Sequence, residues 1–398
     1  MAVSTYRPRP PQAGRRRVQR PMANFRQNPA SPFRHVDVVL VALVAVASVF
    51  GALMVYSTTR GPISPYDTSY LKRVTMFVVI GGVVMAAVAL FDYRKLRDYW
   101  PLIYGASVLL LALVLVPGVG ESRSGTQGWF QLGPFQLQPS ELAKLAMIVG
   151  FAGLASQFRG DLDTIRVALL LGVCAVPMVL VLLQPDLGTT LVSVAVAFAM
   201  LLVAGVRPRI LGVLAVLAVI GTTVILSSGA LADYQVARLS NFVRQDETVI
   251  SKVEEETRYN LEQSKLAIGS GGTFGKGLFN GPQTRNNFVP EQRTDFIFTA
   301  VGEQLGFVGS SALLAVLAAI VWRVWRTAQL ARDDFGMLIC TGIMVMLLVQ
   351  IFENVGMTMG IMPITGIPLP FMSYGGSALL TTLLSMGLVL SVHMRRFS

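Results

Sequence analysis

Carboxylates and basic side chains are the groups that could do chemistry in this chain of 398 residues. The two histidines, His35 and His393, lie near opposite ends, and the two cysteines, Cys174 and Cys340, both lie inside apolar runs. A histidine-based site, a zinc cluster and a disulfide framework are therefore not expected. The remaining candidates are Asp, Glu, Lys and Arg side chains, which act as general acids and bases and stabilise developing charge.

Asp295 is the first candidate, because it lies in PEQRTDFIFTAVGEQ (290–304), where a charged segment becomes apolar. An acid at such a point either marks the edge of a membrane or takes part in chemistry. In QPSELAK, Glu141 and Lys144 are spaced i, i+3 and share one helix face, so a capping ion pair and a functional site are both open. Asp186 in QPDLGTT separates two apolar runs and either caps a turn or joins that site.

A polar stripe interrupts another apolar run, because Gln350, Glu353 and Asn354 are spaced i, i+3, i+4. Such spacing places them on one face of a helix. We take Gln350 and Asn354 as candidate substrate-binding residues.

The elements that must position these residues are membrane-spanning helices. The chain is 53% hydrophobic and 14% charged, against about 25% charged in soluble proteins. A span needs about 20 apolar residues, and an all-α polytopic fold with ten spans is predicted. The ten are 36–56, 74–91, 99–117, 142–158, 167–183, 187–206, 210–226, 296–322, 335–355 and 376–393.

Basic residues set the predicted orientation, since short basic loops face the cytoplasm. This places both termini in the cytoplasm and one large extracytoplasmic loop, 227–295, between helices 7 and 8. Residues 1–35 form a Pro/Arg-rich tail that is predicted to be disordered. It is either a topology signal with a weak contact to anionic membrane lipids or a peptide that binds a partner. The net charge of +11 is concentrated partly in this tail, so it indicates membrane topology and not nucleic acid. Residues 36–398 form one membrane domain.

The large loop combines an amphipathic helix with a Gly-rich run. The helix is predicted within DETVISKVEEETRYNLEQSKLAIGSG (246–271), and GSGGTFGKGLFNGPQ follows it. Neither a Walker loop nor a dinucleotide fingerprint fits this run. Two alternatives stay open: a backbone nest that binds phosphate near Lys276 and Arg285, or a flexible loop.

In this topology the charged candidates lie near one depth, the outer membrane interface. They are Asp295, Glu291, Arg293, Glu303, Asp186, Glu141 and Lys144. Such a ring, opposite apolar helices, predicts a site for an amphiphile with a charged head.

The combined motifs resemble the SEDS family (shape, elongation, division and sporulation) over roughly residues 36–396. They are YNLEQSKLAIGSGGTFGKGLFNGPQ, FVPEQRTDFIFTAVGEQLGF, QPSELAK, QPDLGTT and TGIPLPFMSYGGS, together with Gln350, Asn354 and Gly356. These motif sequences are most similar to those of the elongation form of the family, RodA. The division form is FtsW. The resemblance implies ten-span peptidoglycan glycosyltransferases that polymerise lipid II at the outer membrane face beside a class B penicillin-binding protein, a transpeptidase.

The resemblance also implies residue roles: Asp295 as the catalytic acid of the TDF motif, and Asp186, Glu141 and Lys144 as lining of a central cavity. Two positions depart from the family. Arg293 stands where a histidine is usual, and Gly128 precedes the loop tryptophan where an arginine is common.

The implied chemistry converts an α-linked sugar on a polyprenyl pyrophosphate into a β-1,4 glycan, which inverts the anomeric centre. It needs a base for the acceptor hydroxyl and positive charge for the departing pyrophosphate. Asp295 is the predicted base. Lys276, Arg285, Arg293 or a divalent cation, Mg²⁺ or Mn²⁺, would neutralise the pyrophosphate. A lipid II flippase or other transporter, and a non-catalytic scaffold for a transpeptidase, stay open as alternatives, although charges at the outer interface favour chemistry over transport.

Overall fold

The computed structural model describes residues 35–61, 63–123, 126–133, 135–158, 162–227 and 252–397. The predicted disordered tail, apart from His35, lies outside the described residues. So do residues 228–251, which include the first part of the predicted amphipathic helix.

Twelve α-helices make up most of the described chain. They are α1 (Val38–Thr59), α2 (Ser69–Leu90), α3 (Leu96–Val114), α4 (Pro139–Gln157), α5 (Thr164–Leu183), α6 (Leu187–Val203), α7 (Pro208–Ser227), α8 (Lys252–Gly271), α9 (Pro282–Arg285), α10 (Ile297–Gln329), α11 (Asp334–Met359) and α12 (Gly376–Met394). A short 3-10 turn, Tyr93–Lys95, joins α2 to α3.

A helix occupies each of the ten predicted span positions, with ends shifted by a few residues. Six of the described helices, α1, α2, α5, α10, α11 and α12, are long and apolar enough to cross a membrane. The chain is therefore a multi-pass helical membrane protein. The count of ten spans and the orientation of the termini stay predictions.

The segment before α4 forms a small antiparallel sheet, so the prediction of an all-α chain is wrong there. Its strands are β1 (Glu121–Arg123), β2 (Thr126–Leu132) and β3 (Phe135–Leu137), in the order β1-β2-β3. Gly133, at a φ of 64°, lies in the β2–β3 turn, where a left-handed backbone suits glycine. β1 and β3 are too short to show alternation, and the seven residues of β2, TQGWFQL, do not alternate apolar with polar side chains, so periodicity does not distinguish them from a polar loop.

Helix α11 is the central element of the helical bundle. It packs against α4, α6, α8 and α10. Its C-terminal half carries the stripe Gln350, Glu353 and Asn354, all buried. A polar stripe in the middle of a bundle faces other helices and not lipid, which is where a functional site is built in membrane proteins.

Helix α10 is broken near its start. Gly306 has a φ of 65° and a ψ of −161°, which are not helical. The break frees the carbonyls of Glu303 and Gln304 from their helical partners. They accept hydrogen bonds from the N–H groups of Lys276 and Gly277, each at 3.0 Å.

The Gly-rich run completes this exchange on its other side. The Phe307 N–H donates to the Gly272 carbonyl at 2.9 Å, and the Val308 N–H donates to the Thr273 carbonyl at 3.1 Å. The run thus replaces the helical bonds that the break removes, so that all four backbone groups are satisfied. It is a docked segment and not a flexible loop, and its Lys276 and Gly277 N–H groups bond to backbone carbonyls. A phosphate nest formed by other N–H groups of the run stays a prediction.

Gly306→Ala should lower stability by about 2–4 kcal/mol. The backbone conformation suits only glycine, and a Cβ would overlap the Gly275 nitrogen. Gly269→Ala in α8 is the matched control, because a Cβ there meets nothing within 4 Å. The measurement is the melting temperature of both variants in detergent. Equal melting temperatures would contradict a tight loop–helix junction.

Candidate active site

Asp295 lies at the junction of the large loop and α10, one residue before the N-cap residue Phe296. Its backbone carbonyl accepts a 2.7 Å hydrogen bond from Asn354 Nδ2, and the same nitrogen donates to the Ile367 carbonyl at 2.8 Å. Asn354 is fully buried. One side chain of α11 therefore holds both the Asp295 backbone and the segment before α12.

Glu141 and Lys144 form an ion pair at the start of α4. The Lys144 Nζ lies 2.8 Å from Glu141 Oε1, and both side chains are at most 5% exposed. The start of α4 is tied to α12, since the Gln138 N–H donates to Ser377 Oγ at 3.0 Å. A buried pair of this kind keeps its charges only where partners surround them.

Asp186 both caps a helix and joins this cluster. Its Oδ1 accepts the Thr189 N–H at 2.9 Å at the start of α6. Lys144 attracts the Asp186 carboxylate and Glu141 repels it. The capping interpretation of Asp186 is confirmed, and its role in a functional site stays a prediction.

Glu353 is a fourth charged member, which the sequence placed in the polar stripe but not among the site residues. It is 1% exposed. The Thr365 side chain lies close enough to interact with its carboxylate, although neither oxygen makes a hydrogen bond of normal geometry to a described residue. Lys144 and Asp186 both act on it electrostatically. A single Glu in an apolar helix was the available signal.

The charged residues thus form a cluster of one cation and three carboxylates: Lys144, Glu141, Asp186 and Glu353. Asn354, beside Glu353 in α11, links this cluster to Asp295. We call these four residues the Lys144 cluster.

Glu303, a member of the predicted ring, lies outside the Lys144 cluster and has a structural role. Its fully buried carboxylate accepts hydrogen bonds from the N–H groups of Gln283 and Thr284 at 2.7 and 2.8 Å, and from the Thr284 hydroxyl at 2.5 Å. These N–H groups begin the short helix α9. Glu303 therefore holds the large loop against α10.

The other predicted site residues lie in the large loop, except for Gln350 in α11. Arg293 donates to the Tyr70 hydroxyl at 3.1 Å and lies over the Tyr70 ring, while its carbonyl accepts the Tyr374 N–H. Lys276 and Arg285 are exposed on the loop. Gln350 is buried in α11, and its Oε1 has no partner among the described residues. Arg293 thus joins the start of α2 to the segment before α12.

The acidic residues do not converge as metal ligands. Among the described residues, no three His, Cys, Asp or Glu side chains lie close enough to hold a metal ion. The Lys144 cluster also contains a lysine, which disfavours a cation at its centre. Among the residues that the structure describes, this donor set does not fit a resident divalent cation.

Comparison with known proteins identifies the family. The family model for FtsW, RodA and SpoVE, described as "Cell cycle protein", matches residues 37–397. The chain belongs to this family. Resemblance to the SEDS proteins, predicted from the motifs, is thereby confirmed.

Relatives within the FtsW/RodA/SpoVE family match nearly the whole chain. "Stage V sporulation protein E" of Bacillus subtilis is 34% identical over 89% of this chain and 96% of its own length. "Peptidoglycan glycosyltransferase MrdB" of Escherichia coli is 33% identical over 91% of this chain and 94% of its own. A solved structure, described as "Structural coordination of polymerization and crosslinking by a peptidoglycan synthase complex", has a TM-score of 0.75 at 31% identity. It covers 91% of this chain and 99% of that one.

Proposed function

We propose that Asp295 is the general base with which this peptidoglycan glycosyltransferase polymerises lipid II into β-1,4 glycan strands. The proposal rests on the hydrogen bond from Asn354 to the Asp295 carbonyl. This bond clamps the Asp295 backbone to the central helix, beside the Lys144 cluster. A base must be held at a fixed position relative to its substrate, and a buried amide on a packed helix does that.

The reaction is a single displacement. The acceptor 4-hydroxyl loses its proton to the Asp295 carboxylate as its oxygen bonds to the anomeric carbon. The bond from that carbon to the pyrophosphate oxygen breaks, and the lipid pyrophosphate leaves as an anion. Positioned general-base catalysis contributes about 10²–10⁴-fold. Cationic side chains of the loop, Lys276, Arg285 and Arg293, are the proposed source of charge for the leaving group.

The proposal includes the location of the protein and its orientation in the membrane. We infer that ten spans cross the bacterial cytoplasmic membrane, that both termini are cytoplasmic, and that Asp295 faces the outer side. Three observations support this: the helices at the ten predicted positions, the basic short loops, and the candidate residues gathered at one end of α11. The substrate's polyprenyl tail accounts for an enzyme built inside a bilayer.

The proposed partner is a class B penicillin-binding protein transpeptidase. The similarity to a synthase complex described by both polymerization and crosslinking supports it. A role in cell elongation is proposed from the sequences of the TGIPLPF and GSGGTFGKG motifs. Overall identity does not distinguish the role, because SpoVE and MrdB match this chain at nearly equal identity.

Polymerisation of labelled lipid II by purified protein in detergent, with and without a transpeptidase, is the direct test. A ladder of glycan strands supports the enzyme. Transfer of intact lipid II across liposomes without strand synthesis would indicate a flippase, and partner binding without either would indicate a scaffold.

A divalent cation is a separate expectation. Because the described acidic residues do not converge on one point, we expect EDTA to leave the melting temperature of the protein unchanged. Loss of strand synthesis in EDTA, restored by Mg²⁺ or Mn²⁺, would then assign the cation to the pyrophosphate substrate. A large fall in melting temperature in EDTA would contradict this expectation and indicate a resident metal site.

A further inference from the structure

A small pocket lies where the end of α1 meets the loop after the Gly-rich run, on the predicted outer side. Arg60 and Arg285 line it together with Asn287 and the hydroxyl residues Ser57 and Thr58. All of its lining residues belong to the described part of the chain, and none is acidic. Ser57 and Thr58 already donate their hydroxyl hydrogens to Gln304 Oε1 and the Val55 carbonyl. The two arginines are therefore the groups in this pocket that suit an anion.

The Arg60 guanidinium is held in place by aromatic rings. Its central carbon lies 4.6 Å from the centroid of the Tyr66 ring and 4.4 Å from that of Phe279. It also donates one hydrogen bond to the Phe279 carbonyl at 3.2 Å. A guanidinium has five N–H donors in a rigid plane, so a stacked one is ordered before a ligand arrives.

The backbone that carries Arg285 is held in place. Arg285 ends α9, whose first N–H groups bond to the Glu303 carboxylate. Glu303 lies next to the pocket, and three hydrogen bonds to its carboxylate disperse the negative charge. Gly281 borders both features, since a Cβ there would lie 2.5 Å from Glu303 Oε2.

Two side-chain amides connect these walls to each other and to the active site. Gln304 Oε1 accepts hydrogen bonds from Ser57 Oγ at 2.7 Å and from the Phe279 N–H at 2.8 Å, which joins α1 to the loop. Gln292 Nε2 donates to Thr284 Oγ1 at 3.1 Å. Gln292 lies three residues before Asp295, so hydrogen bonds within one loop connect the pocket to the catalytic segment.

We propose that Arg60 and Arg285 form a subsite for the phosphate group of a lipid, apart from the Lys144 cluster. The proposal rests on the proposed function, in which a lipid-linked monomer is polymerised, so that two pyrophosphates approach one enzyme. Planar guanidinium groups bind phosphate oxygens in pairs of parallel hydrogen bonds. The phosphate belongs either to the polyprenyl pyrophosphate of substrate or product, or to a phospholipid headgroup.

Binding measured in an Asp295→Asn background tests the subsite without turnover. The probes are lipid II in detergent, nanodiscs containing phosphatidylglycerol, and inorganic pyrophosphate as competitor. Arg60→Met should weaken binding of at least one lipid probe about tenfold or more. Arg60→Lys should restore part of the loss, because it keeps the charge without the planar fork. Arg258→Gln, at an exposed ion pair on α8, should bind as the parent does.

The outcomes separate the two sources. Weaker binding of lipid II and pyrophosphate alone assigns the site to the substrate or product, and weaker binding of phosphatidylglycerol alone assigns it to membrane lipid. Unchanged affinity for every probe in both Arg60→Met and Arg285→Gln, at unchanged melting temperatures, overturns the proposal. A wild-type protein that binds lipid II through Arg60 yet makes no strands would refute the proposed function and leave the subsite standing.

Discussion

Asp295→Asn is expected to abolish strand synthesis from lipid II, with a loss of about 10²–10⁴-fold in rate. The amide has nearly the same shape but accepts no proton at neutral pH. The Asn354 hydrogen bond goes to the backbone carbonyl at position 295, so the substitution leaves the clamp in place. Melting temperature and lipid II affinity should therefore stay close to those of the parent, and the change should appear in kcat.

Glu262→Gln is the control for this result. Glu262 pairs with Arg258 on the exposed side of α8, and an exposed pair contributes only about 0–1 kcal/mol. Its loss should leave strand synthesis unchanged. Undiminished synthesis by Asp295→Asn would refute the role of Asp295 as base.

Lys144→Met should give the largest loss of stability, about 3–5 kcal/mol. The substitution removes the cation of the Lys144 cluster and leaves Glu141, Asp186 and Glu353 without an opposite charge. Glu141 loses its 2.8 Å partner in a site that is almost fully buried. Thermal unfolding in detergent measures the effect, and strand synthesis should fall with it because α4 and α11 both carry cluster residues.

Two further variants check the electrostatic cause. Lys72→Met replaces an exposed lysine of α2 and should leave the melting temperature unchanged. Adding Glu141→Gln to Lys144→Met should restore part of the lost stability, since it removes one of the unpaired carboxylates. If the double variant were less stable than the single one, packing and not charge would explain the loss.

Much of the architecture was predictable from one-dimensional patterns. Apolar runs of about 20 residues specify helices in a bilayer, because the lipid offers no other partner for backbone N–H and C=O groups. The i, i+3 spacing of Glu141 and Lys144 likewise predicted a shared face, and the ion pair confirms it. Family membership followed from several motifs together, because each constrains its own local geometry.

The contacts between motifs were decided only in three dimensions. Glu303 and Asp295 are both acids of one motif. The Glu303 carboxylate accepts hydrogen bonds from the start of α9, whereas Asp295 is held through its backbone carbonyl by Asn354. Glu353 joined the charged cluster only because α11 packs against both α4 and α6. The break at Gly306 likewise has meaning only beside the Gly-rich run that completes its hydrogen bonds. Local propensity depends on residues that are close in sequence. The partner of a buried charge or of a freed carbonyl is distant in sequence, and only packing brings the two together.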